Sequence, residues 1–206
     1  MTKERLNLAG WLSITSALFA IPSLAMYLFL GTIVGPGAKL AQAILTIVSL
    51  GLFLYIVTSF RKLLNSRFRF HDVDIYISLL IWVNVALSLF SLLALESTLL
   101  DWGMNILSTV GLIVQGIILI MFATRLLRLP YNLHSLLKPY SYVSIVSGIC
   151  AITIILFWAA IIAGAVADAI LGIIFFRAAE QPISTPETGR PEIGPSPEGN
   201  LDGRKN

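Results

Sequence analysis

The sequence predicts an all-α, polytopic transmembrane bundle of six helices, with five as the alternative. Three observations carry that reading. The first is composition: 57% of the 206 residues are hydrophobic and 12% are charged, about half the charge that soluble domains carry. The second is where charge is missing. No Asp, Glu, Lys or Arg occurs in 6–38, 40–60, 75–95, 102–124 or 139–167. Each run meets the roughly 20 residues a helix needs to cross the hydrocarbon core. In lipid the backbone must satisfy its own hydrogen bonds, so such runs become helices. The third is the asymmetry of Lys and Arg between alternate connections, which reports orientation.

The helices are placed at 8–34, 40–60, 75–95, 104–124, 140–158 and 160–177. The first is far longer than the 7–15-residue apolar core of a signal peptide, and it reads as a retained helix. Its Pro22 removes the bond to the Leu18 carbonyl and should bend it there. A Gly-Pro turn, "GPGAK" (35–39), leads into the second helix. The apolar stretch 139–176 holds either two tight helices or one long one. Gly164 is its only good turn residue, and it comes late. Two helices are preferred because Arg177 then joins the other basic residues.

With six helices, Lys3, Arg5, Arg61, Lys62, Arg67, Arg69, Arg125, Arg128, Lys138 and Arg177 all fall on one side, and Lys39, Glu96 and Asp101 on the other. This places the N-terminus and the C-terminal tail in the cytoplasm. The absence of an N-x-[ST] acceptor fits a bacterial inner membrane. Within "RKLLNSRFRFHDVD" (61–74), Arg61, Lys62, Arg67 and Arg69 are candidate contacts to anionic lipid headgroups. Such residues contribute about 1 kcal/mol each near an anionic leaflet. The net charge of +3 belongs to these loops and not to nucleic-acid binding.

Two domains are expected: a transmembrane bundle over 1–178, and a cytoplasmic tail over 179–206. The tail is rich in Pro, Glu, Gly and Ser, so it cannot bury enough apolar surface to fold. Apolar runs begin near 8, 74 and 140, and helices 2 and 4 share an Ile-Leu start and a basic end. That spacing suggests three tandem helical hairpins.

Lipid is as apolar as leucine, so small and polar residues must hold the helices together. Every helix carries a stripe of them at three- and four-residue steps, hence on one face. The stripes include Ser13, Ser16 and Ser23; Gln42, Thr46 and Ser49; Asn84, Ser88 and Ser91; Ser108, Gly111 and Gln115. They continue with Ser141, Ser144 and Gly148, then with Ala160, Gly164, Asp168 and Gly172. Asn84, Gln115 and Asp168 form a candidate polar site at the bilayer midplane. A carboxylate at a helix centre costs about 2.5–3.5 kcal/mol and marks a functional hypothesis by default. At that depth Asp168 is expected to be protonated, or to bond Gln115 or Asn84. With a turn at Gly164 it would lie near the outer surface instead.

Enzyme signatures are missing: there is no HExxH, G-x-S-x-G, CxxC or phosphate loop. Cys150 reads as a buried apolar side chain. No catalytic, cofactor or metal residue is assigned. Three classes of function follow. The one favoured by sequence is a non-catalytic scaffold, accessory or assembly subunit, acting through membrane-protein partners or its own oligomer. The second is a small passive transporter or channel built on Asn84, Gln115 and Asp168. The third is a lipid-acting enzyme using His71, Asp72 and Asp74. A dry, tightly packed interior would favour the first, and a polar cavity reaching the midplane the second.

Overall fold

The computed structural model describes residues 2–33, 35–68, 71–95, 101–128, 136–153 and 155–180, and among these described residues there are six helices. They are α1 (Lys3–Gly31), α2 (Pro36–Phe68), α3 (Asp74–Ala94), α4 (Asp101–Leu126), α5 (Leu137–Ile152) and α6 (Phe157–Glu180). No strand occurs among the described residues. All except α5 are long and apolar enough to cross a bilayer. These helices make this a membrane protein by composition.

Each helix packs on its neighbours in the chain, and α6 closes the ring on α1. Every junction is antiparallel. Tyr27 meets Gln42, Arg61 meets Asp74, and Leu87 covers Gly111. Gly116 meets Gly148, Ser147 bonds the Ala160 carbonyl, and Trp11 packs edge-on against Phe176. The helices therefore alternate up and down; Lys3, Arg5, Arg125, Lys138 and Arg177 gather at one end of the ring, and Lys39, in the first turn of α2, lies at the other.

Two pairs of glycines bring backbones together. A Cβ on Gly116 or Gly148 would lie 2.8 Å from the other's carbonyl oxygen. A Cβ on Gly172 would lie 3.1 Å from the Gly10 carbonyl oxygen and 2.7 Å from Ile14 Cγ1. Such close approach is how small residues gain dispersion energy in a solvent that offers no hydrophobic drive. It is concentrated at α1–α6 and α4–α5.

The larger packed core occupies the basic half of the ring, and a smaller cluster of Cys150, Ala151 and Ala160 packs at the other end, where α5 meets α6. Leu6, Leu63, Leu64, Val73, Ile77 and Leu126 are each buried to 1% exposure or less. At the centre of this half sits Phe60, with the rings of Tyr140, Phe122 and Phe175 at 5.6, 6.2 and 6.3 Å. Those separations are ordinary attractive aromatic geometries. Four rings from α2, α4, α5 and α6 thus form a plug across the bundle.

Most helices begin three to five residues earlier than the sequence reading placed them, and three further differences have a physical reason. α2 runs two turns past residue 60, because Leu63 and Leu64 bury against the core while good helix formers fill the positions around them. Half of the "RKLLNSRFRFHDVD" segment is therefore helix, not connector. α5 stops at Ile152 instead of 158, where Thr153 turns its hydroxyl back onto the Cys150 carbonyl. At 16 residues it is about 24 Å long. α6 starts at Phe157, so Gly164 lies inside a helix against Ser147 and makes no turn. α1 remains one helix through Pro22. α6 ends at Glu180, two residues beyond the expected domain boundary. The remainder of the proposed tail, 181–206, lies outside the described residues.

Candidate functional site

Above the aromatic plug the ring is hollow. A cavity of about 270 Å³ is lined by residues from all six helices, among them Ser16, Phe53, Leu80, Gln115, Ser144 and Asp168. Asp168 lies halfway along α6. The Ser16 hydroxyl, on α1, donates a 2.9 Å hydrogen bond to its Oδ2. A hydrogen bond to a charged group contributes about 1.5–3 kcal/mol, comparable to the cost of placing a carboxylate at that depth. Among the described residues that line the cavity, none is Lys, Arg or His.

Two wider cavities of about 590 Å³ each continue from this one toward the end opposite the basic residues. One is bounded by Ser23, Tyr27, Ser49, Phe53, Asn84 and Ser88. The other runs out to Ala94 and Leu95 at the end of α3, with Ser88, Ser91 and Ser108 along its wall. Gln115 belongs to the wall of both the inner cavity and this one, and Phe53 joins the inner cavity to the first. The result is a funnel that narrows from the helix ends to Asp168 and stops at the Phe60 cluster.

The three residues singled out from sequence thus line one system of cavities. They do not bond one another. Asp168 takes its hydrogen bond from Ser16, not from Gln115 or Asn84. Asn84 donates to the Leu80 carbonyl of its own helix, 3.1 Å away. The interface alternative for Asp168 fails because α6 extends eleven residues before it as well as twelve after it. Ser16, Tyr140 and the rings of Phe53, Phe60 and Phe122 complete the inner cavity. The stripes named Ser16 only as packing, and nothing in sequence pointed to the rings.

The stripes themselves divide into two kinds. Gly148 and Gly172 make the backbone contacts expected of them. Ser23, Thr46, Ser49 and Ser88 instead line open volume, while Ser91, on the same wall, meets the Tyr27 hydroxyl at 3.4 Å. A shared face therefore does not mean contact.

The segment around residues 61–74 is built as a clasp. Asp74, at the start of α3, accepts bonds from Arg61 Nε at 2.9 Å, from Asn65 Nδ2 at 3.1 Å and from His71 Nδ1 at 3.2 Å. Arg61 is thus engaged with a carboxylate, whereas Lys62 is exposed. His71 and Asp72 are also exposed. Of the trio suggested for lipid chemistry, His71 and Asp74 thus meet in this clasp, where Asp74 also holds Arg61 and Asn65. The Arg67 side chain, Arg69 and His134 lie outside the described residues. Cys150 is buried and unpaired.

No family model, curated protein or solved structure matches this chain.

Proposed function

We propose that this chain is a multi-pass membrane protein that admits a small polar solute to a site halfway across the bilayer. It is a carrier or passive transporter in its outward-open form. The single observation that supports this reading is the funnel ending at Asp168, walled by Gln115 and Asn84 and closed beyond by the Phe60 cluster. A purely scaffolding bundle has no use for a hollow whose wall repeats polar side chains on every helix. The basic end is assigned to the cytoplasm by the positive-inside rule, so the funnel opens away from it. Its Lys and Arg residues meet anionic headgroups there. Passage then requires the rings of Phe60, Phe122, Tyr140 and Phe175 to separate, the interior gate of an alternating-access cycle.

Thiol labelling tests the reading. In a Cys150→Ser background, Gln115→Cys in sealed, right-side-out vesicles should react with a membrane-impermeant maleimide added outside. Absence of reaction there, with full reaction after detergent, contradicts it.

A further inference from the structure

We propose that the inner cavity selects a small organic cation, an amine or quaternary ammonium compound. This rests on the solute-site reading above and names the solute class. Four features of the same cavity agree on it. Among its described lining residues, Asp168 is the one side chain that can carry a negative charge near neutral pH, and none is Lys, Arg or His. A solute that leaves that charge unbalanced in a low-dielectric site is disfavoured, and an anion is repelled. Among the described residues the carboxyl group takes one hydrogen bond, from Ser16 to Oδ2 at 2.9 Å, and its other oxygen can accept from a ligand. The facing wall is aromatic: Phe53, Phe60, Phe122 and Tyr140 line the same space. Ring faces attract cations, and aromatic cages are the recurrent solution for ammonium groups. Size points the same way. About 270 Å³ is roughly nine waters' worth of liquid volume and sits just below the range of pockets for drug-sized ligands. A hydrated metal ion has no use for four rings.

The test is equilibrium binding of radiolabelled choline to the full chain in lipid nanodiscs. Tetramethylammonium should compete. The neutral isostere 3,3-dimethylbutanol and equimolar sodium chloride should not compete at a hundredfold excess. Asp168→Asn should weaken choline binding about thirtyfold or more, and Phe53→Leu about fivefold, each with a wild-type elution profile and melting curve. Competition by the neutral isostere equal to that of tetramethylammonium overturns the proposal, as does choline affinity unchanged in both variants. If Asp168→Asn fails to fold, Phe53→Leu and the isostere still decide. No choline binding with Gln115→Cys still labelled from outside overturns the cation alone. Loss of both overturns the solute site as well.

Discussion

Asp168 and Ser16 are the residue pair on which the molecule turns. The bond joins α6 to α1 across 152 positions of sequence. Ser16→Ala should lower stability by about 2 kcal/mol, read as a fall in melting temperature in detergent. Asp168→Asn keeps an acceptor for Ser16 while removing the charge, so its melting temperature should equal or exceed the wild type. Opposite in sign to Ser16→Ala, this outcome separates the cost of the charge from the value of the bond. Ser13 gives a contrasting case. Its hydroxyl is fully buried with no partner among the described residues, so Ser13→Ala should be neutral or stabilising. Asp168 was legible in the sequence because a lone carboxylate stands out in an apolar run. Its partner was not, because the other five helices all offer serines and only the ring closure of α6 on α1 chooses among them.

At the scale of helices, stability follows backbone approach. Gly148→Val should cost about 1–3 kcal/mol, because the new side chain meets the Gly116 carbonyl at once. Gly164→Ala should cost little, since the nearest atom to its added Cβ is Ser147 Oγ at 3.9 Å. Comparative melting of the two variants checks the pair. Stripe periodicity identified the glycines' common face but could not rank them, because distance between backbones is set by the partner helix. At the α2–α3 joint, Asp74→Asn should cost about 1 kcal/mol or less. The pair with Arg61 is partly exposed, with side chains 40% and 21% accessible. The element boundaries read from charge were displaced wherever charge and helix diverge. The α2 helix continues through "RKLLNSRF" because a helix end and a membrane end are different things. The turn at 153–156 contains no glycine or proline, only "TIIL", so local turn chemistry gave no sign of it.

The whole molecule is divided into a packed half and a hollow half. Six apolar helices, alternating in direction with most basic residues at one end, were legible from the apolar runs and the basic connections, whereas their closure into a ring was not. The three-hairpin order survives as alternation, although the lengths of α1 and α5, 29 and 16 residues, depart from equal repeats. The hollow was not legible, because amphipathic patterning says which face turns inward and not whether the inward faces meet. Large aromatics and leucines fill the basic half. Toward the other end, serine, threonine and asparagine are too small to reach across a six-helix ring, and a funnel remains.

One cysteine scan down α4 tests this division most directly. Ser108→Cys, Gln115→Cys and Phe122→Cys, each in Cys150→Ser, are exposed in intact vesicles to an impermeant maleimide on the outer side. The account predicts fast labelling at 108, slower labelling at 115 and none at 122. Equal protection at 108 and 115, or labelling at 122 from that side, contradicts it.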